Sequence, residues 1–324
     1  MHRTLLASFV IVLGLVAAAP ALAAGPELDP GLAKYTKVEG LRGTLNAAGS
    51  DTMLELQTLM AEDFRKLYPQ VKIQVEGKGS STAPPALIEG TVQLGNMSRA
   101  MKNQEIDAFE EKFGYEPTRF DVALDTLAVF VNKDNPIQSL TIPQVDAIFS
   151  KTRKCGSPTD ASVWGALGLG GDWQTAPISL YGRNAASGTY GYFKDHALCK
   201  GDFRDTVKEQ PGSASVVQGL EKDRYGIGYS GIGYTTSGVR AVPLAAAEGQ
   251  PAVAASSENA ANGSYPLARF LEVYVNKAPG KPLDRLTAEF IRFMLSADGQ
   301  RVVVKSGYDP LDAATAALQL AKLD

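Results

Sequence analysis

One pattern recurs along this chain and narrows its fold more than any other feature. A strand-like run gives way to a turn rich in Gly, Ser and Thr, and a helix follows. Residues 41–47 read as a strand and Gly49-Ser50-Asp51-Thr52 as the turn. Met53, Leu56, Met60, Phe64 and Leu67 then recur at three- and four-residue steps, one apolar helical face ending before Pro69. Val71, Ile73 and Val75 alternate as the next strand, and Gly77-Lys78-Gly79-Ser80-Ser81-Thr82 follows. Pro84 and Pro85 suit the first turn of a helix that ends at Gly90. Residues 92–95 form a brief strand that delivers Asn96-Met97-Ser98-Arg99 ahead of a polar helix over 103–113. Such repetition predicts an α/β chain with a largely parallel sheet, whose ligands sit beyond the strands' carboxyl ends. These turns lie there.

The most informative turn is Tyr181-Gly-Arg-Asn-Ala-Ala-Ser-Gly-Thr-Tyr-Gly-Tyr-Phe193, which follows a short alternating strand. Good helix formers and no proline after Tyr190 predict a helix beginning near Ser187. A helix start offers unpaired N–H groups and about half a positive charge, so it attracts anions. Gly188 permits close backbone approach, Ser187 and Thr189 add hydroxyls, and Arg183 adds a planar fork suited to an oxyanion. An ordinary Ser cap beside a surface arginine is the plainer alternative.

At 324 residues the chain is long enough for two lobes. His2 and Arg3, an apolar run over 5–19 and Ala21-Leu22-Ala23 predict a cleavable signal peptide over 1–23. No cysteine follows the run, so no lipid anchor is expected, and export to the periplasm is. Removing those residues deletes only Arg3 among the charged groups, leaving 31 basic against 35 acidic residues, with no basic patch to bind nucleic acid. Cys155 and Cys199 are the only cysteines, which in an exported chain favours one disulfide. Closing so long a loop stabilises by roughly 4 kcal/mol in the entropic account.

Two β-rich runs, Asp125-Thr-Leu-Ala-Val-Phe-Val-Asn-Lys133 and Phe270-Leu-Glu-Val-Tyr-Val-Asn-Lys277, both end Val-Asn-Lys. They suit paired connections between lobes. Residues 24–132 with 268–324 would form the first lobe and 133–267 an inserted second, with the segment from Leu140-Thr-Ile-Pro143 starting a helix of the insert.

Other chemistries find little support. Gly226-Ile-Gly-Tyr-Ser-Gly231 matches G-x-G-x-x-G but no helix follows, so it reads as a closely packed strand and turn. One histidine outlasts signal removal, His196, roughly 13 Å along a helix from Ser187, too far to act as its base. No metal site, cofactor or catalytic residue is expected, and the chain is read as a binding protein rather than an enzyme.

These residues carry a likeness. From about 43 to 308 the chain resembles the periplasmic phosphate-binding proteins of bacterial high-affinity phosphate ABC importers. The most specific piece is Arg183-x-x-x-Ser187-Gly188-Thr189, joined by Gly49-Ser50-Asp51-Thr52, Gly79-Ser80-Ser81-Thr82, the 140–149 segment and Gly226-Ile-Gly-Tyr229. The resemblance implies a two-lobed periplasmic-binding-protein type II fold, with mixed, mostly parallel sheets joined by a two-strand hinge. It implies capture of inorganic phosphate by a monomer and transient docking to an inner-membrane ABC permease. The expected phosphate site takes Ser50, Asp51, Thr52, Ser80, Ser81, Ser98 and Arg99 from the first lobe. Arg183, Ser187, Gly188 and Thr189 come from the second. Family members place after the third strand an aspartate that accepts the phosphate's proton and so refuses sulfate; here Arg99 stands in that region, and Asp51 can supply the acceptor instead. Another oxyanion (sulfate, molybdate or a phosphonate) in the same fold, or an exported phosphate-handling enzyme, are the competing readings.

Overall fold

The computed structural model describes residues 26–323, so the signal-peptide expectation lies outside the described residues. The expected strand–turn–helix repeats are present. β1 (Gly43–Gly49), α1 (Leu54–Leu67), β2 (Val71–Gly77), α2 (Ala83–Glu89), β3 (Leu94–Met97) and α3 (Asn103–Phe113) follow in that order. β1 pairs in parallel with both β2 and β3. Then comes β4 (Thr118–Asn132), on which the two halves of the fold meet.

Beyond it lie β5 (Leu140–Thr141), α4 (Ile142–Phe149), β6 (Ser179–Arg183), α5 (Gly188–His196), β7 (Lys208–Gln210), α6 (Ser213–Lys222) and β8 (Gly226–Gly231). β9 (Val239–Ala241), β10 (Leu244–Ala245) and α7 (Ser257–Ala261) lead to β11 (Ala268–Val275). The chain ends in α8 (Arg285–Met294), α9 (Ala297–Lys305) and α10 (Ala313–Leu320). Val302, Val303 and Val304, β-branched though they are, sit in α9, because Val302 and Val303 fill the core under a Ser296 cap.

The main sheet runs β2-β1-β3-β11-β4-β8-β6-β7, with β9 also on β4. Its two ends are parallel, while β11 pairs antiparallel with β3 and β4, and β8 antiparallel with β4. This is an α/β fold with a mixed sheet in two lobes, and the two β-rich runs lie on β4 and β11 at the junction. β11 pairs with 118–126, whereas Leu127 to Val131 of β4 pair with β8. The partner of β11 is therefore mostly the segment before the apolar run; Arg119 and Asp121 interrupt that segment and hid it.

Each half has its own core. Leu45, Leu56, Phe64, Phe120, Val273 and Phe290 meet on one side. Leu127, Val129, Phe149, Trp164, Phe193 and Tyr229 meet on the other. Each such side chain contributes about 1.5–3 kcal/mol by leaving water. Cys155 and Cys199 form a disulfide with Cα atoms 5.3 Å apart, tying the loop after α4 to the end of α5.

Candidate functional site

The turns after β1, β2, β3 and β6 converge where the two cores face each other. On the second-core side, Ser187 caps α5 and its Oγ accepts from the Tyr190 amide at 3.3 Å. A capped start still leaves the first helical amides without intrahelical acceptors. Phe193 of α5 stacks on Tyr229 with ring centroids 3.9 Å apart, and the Tyr192 hydroxyl donates to the Ala268 carbonyl at 2.7 Å. Those contacts aim the start of α5 at the turns from the other half.

What meets it there is a set of buried hydroxyls. Ser50 Oγ donates to Ser98 Oγ at 2.9 Å, and Ser98 Oγ lies 3.3 Å from Ser80 Oγ. Thr52 Oγ1 and Thr189 Oγ1 are 2.7 Å apart across the cleft, with Ser213 Oγ 3.5 Å from Thr52. The Ser81 amide donates to the Ala186 carbonyl at 3.1 Å, a second bond across the cleft. Gly188 is where approach is tightest, since a Cβ there would lie 2.1 Å from Ser80 Oγ and 2.6 Å from Ser98 Oγ. No residue but glycine fits without pushing those hydroxyls apart.

Arg183 is 2% exposed, and its fork reaches across the cleft. Its Nη1 donates to Ser213 Oγ at 2.8 Å, and its Nη2 lies 3.3 Å from Asp51 Oδ2. Burial pushes the guanidinium below its usual pKa, and Asp51 opposes that shift. Asp51 Oδ2 also accepts the Ser213 amide at 2.8 Å, so this carboxylate joins the first turn to the start of α6.

Arg99 has a different fate. Its two Nη atoms donate to Glu105 Oε1 and Oε2 at 2.7 and 2.8 Å, a bidentate pair, and Nη2 also reaches Ser81 Oγ at 3.2 Å. Its fork is thus spent on its own connection to α3, although its stem passes beside Gly191 of α5. Burial works to raise the Glu105 carboxyl, but the Arg99 fork and the Lys102 amide outweigh it and hold it below the usual value. The structure accordingly brings together the hydroxyls of Ser50, Thr52, Ser80, Ser98 and Thr189 with Gly188, Arg183 and Asp51. Arg99 and Ser81 stand beside them, bonded to each other.

Four contributors escaped sequence reasoning. Ser213 opens α6 after Gly212, a small capping-type signal. The Tyr308 hydroxyl donates to the Thr52 carbonyl at 2.7 Å, and the Tyr234 hydroxyl to the Asp51 and Thr52 carbonyls at 3.2 Å, fixing the first turn. Arg269 of β11 donates to Thr189 Oγ1 at 2.8 Å. Its counter-ion, Asp125, lies 2.8 Å away, so three arginine–carboxylate pairs surround the cleft. Formal charge cancels among these side chains, and the donors that face the cleft are hydroxyls, helix-start amides and the fork of Arg183.

Among the described residues no cluster of three or more His, Cys, Asp or Glu is placed to hold a metal ion. His196 stacks on Tyr192 with centroids 4.0 Å apart. β8, which holds the Gly226 to Gly231 motif, is a buried strand between β4 and β6.

Comparison with known proteins adds independent findings. The PBP superfamily domain matches residues 36–298. The phosphate-binding protein PstS of Pseudomonas aeruginosa is 58% identical, over 97% of this chain and 96% of that protein. Protein SphX of Synechococcus elongatus is 30% identical over 84% of this chain and 79% of its own. A solved structure from Clostridium perfringens, described as a phosphate ABC transporter substrate-binding protein with bound phosphate, superposes with a TM-score of 0.70. It is 25% identical and covers 83% of this chain and 100% of its own.

Proposed function

The chain belongs to the PBP superfamily, within the family of the PstS phosphate-binding proteins, and from that premise we propose that it captures inorganic phosphate between its two lobes and delivers it to an ABC permease. The observation that carries this reading is the convergence of buried hydroxyls from both sides of the cleft on Gly188 at the start of α5. A tetrahedral oxyanion needs donors from several directions, and its desolvation must be offset by them. Here Ser50, Thr52, Ser80 and Ser98 come from one lobe, and Ser187, Gly188, Thr189 and Arg183 from the other. An anion bonded to both favours the closed form, because it gains its full set of bonds only there.

Asp51 is the acceptor in this reading. A carboxylate can take the proton that phosphate carries and sulfate lacks, and Asp51 reaches the cleft from the first turn. Ser81 and Arg99 act from behind, supporting the turn after β2. The chain works as a monomeric periplasmic binding protein without catalysis, and no helix among the described residues is long and apolar enough to cross a membrane.

The test is calorimetric titration of the phosphate-stripped protein with phosphate and then sulfate. Tight phosphate binding with sulfate ignored is expected. Equal binding of both keeps the oxyanion cleft but removes its phosphate selectivity. Binding of neither returns Ser187 to a plain helix cap.

A further inference from the structure

The junction strands carry a guanidinium that the anion chemistry above leaves without a task. Arg269 stands on β11 opposite Asp125 of β4, and both are buried. Asp125 Oδ2 accepts from Arg269 Nε at 3.0 Å and from Nη2 at 2.8 Å. The rest of the fork reaches both sides of the cleft. Nη1 donates to the Ser98 carbonyl at 2.6 Å, in the turn after β3, and Nη2 to Thr189 Oγ1 at 2.8 Å, at the start of α5. The guanidinium also lies over the Tyr192 ring, 5.1 Å from its centroid. One side chain on the junction thus holds an anchor in each lobe.

We propose that Arg269 is a positioning residue of the anion site, a tie between the lobes that sets how long the closed form lasts and where the Thr189 hydroxyl points. This rests on the anion-capture reading. Donation from Arg269 occupies one acceptor position on Thr189 Oγ1, so the hydroxyl proton turns away from the guanidinium and into the cleft, where Thr52 Oγ1 lies 2.7 Å off. The bond to the Ser98 carbonyl steadies the turn whose hydroxyl reaches Ser50 and Ser80. Separating the lobes breaks one of these bonds beside a buried charge, which makes opening costly. Asp125 keeps the fork in place. Its Oδ1 has no hydrogen-bond partner among the described residues, and a Cβ on Gly231 would lie 3.0 Å from it, so the carboxylate is enclosed and acts through Oδ2. A pair serving the fold alone has no reason to spend its remaining N–H groups on both sides of the cleft.

The test is stopped-flow measurement of inorganic phosphate association and release for the full chain and for Arg269→Lys, Thr189→Val and the double variant. Lysine keeps the charge but cannot hold Asp125, Ser98 and Thr189 together. The expected result for Arg269→Lys is release at least fivefold faster with association within threefold of the parent. In the double variant the two effects fall short of multiplying, because both substitutions cut one linkage. A smaller change in release, an affinity loss that comes from association, or full multiplication in the double variant overturns the proposal. A merely structural lesion would lower the bound fraction or the thermal midpoint, not the release rate of molecules that bind. Should Arg269→Lys fail to fold, Asp125→Asn, which keeps the shape and frees the fork, is held to the same thresholds. A parent that takes up no phosphate sinks the capture reading itself; a parent that binds while Arg269→Lys releases no faster sinks only this inference.

Discussion

Arg99 and Arg183 look alike in sequence, each closing a strand just before a serine-rich or acidic helix start, yet they end in opposite circumstances. Arg183 stands at the end of β6 with no carboxylate nearby in its own connection, and its partners come from far along the chain: Ser213 and, across the cleft, Asp51. Arg99 follows β3 and finds Glu105 six residues on, in the first turn of α3, where the pair closes with two bonds. A guanidinium with a local bidentate partner is spent; one without it must be satisfied across the cleft, and so it reports whether the lobes are together. The difference also bears on Arg99 occupying the region where an acidic residue was expected. Because Glu105 cancels its charge, that position adds no net positive field to the site.

The comparison is broken most severely by removing the approach that makes the cleft possible. In Gly188→Ala the new methyl would lie 2.1 Å from Ser80 Oγ and 2.9 Å from Ser80 Cβ. Overpacking of this kind costs roughly 1–3 kcal/mol. Phosphate affinity should fall by about five- to 150-fold by calorimetry while the thermal midpoint of the ligand-free protein changes little, since the clash exists only when the lobes meet. An affinity within threefold of the parent would mean that Ser80 and Gly188 do not adjoin in the bound form.

Next comes the contrast itself. Arg183→Ala should weaken phosphate binding by about 2 kcal/mol or more, the scale of a hydrogen bond to a charged group, with a loss below tenfold sinking its assignment. Arg99→Ala should weaken it less than fivefold, because the fork it deletes bonds Glu105 and Ser81 rather than the cleft. If the two substitutions cost the same, the division between a ligand-facing and a spent arginine is wrong.

How much of this was legible follows the reach of each interaction. The start of α5 could be read because its signals, Ser187, Gly188 and Thr189, adjoin in sequence and act through local capping geometry. The strand-end turns could be read for the same reason, and so could the α/β class. Arg269 could not be read as a site residue, since its partner Asp125 is 144 positions away and both looked like single charges in apolar strands. Ser213 meets Arg183 only after β7 brings α6 alongside, 30 positions on. The first half of β4 was hidden because Arg119 and Asp121 break its apolar character. They are satisfied by each other and, for Arg119, by Glu272 on the neighbouring strand. Local chemistry is written in neighbouring letters; pairing between distant strands is not.

The smallest effect sharpens the comparison from the side of stability. Glu105 is held below the usual carboxylate pKa although burial works the other way. A carboxyl depressed in the folded chain contributes stability above its unfolded value, about 4.3 for glutamate, and loses it as pH falls through the folded value. Arg99→Met keeps the apolar stem beside Gly191 but removes the fork, so burial acts on Glu105 with only the Lys102 amide and charge left to oppose it. The variant should therefore melt below the parent by about 2–4 °C at pH 7, as a loss near 1 kcal/mol would give. That gap should narrow as the pH falls below about 4.3, where the unfolded chain takes up the proton first, and close as it passes through the parent's lower folded value. A gap constant from pH 7 to pH 3.5 in thermal unfolding would mean that the Arg99 stem, and not its pairing with Glu105, is what the fold uses.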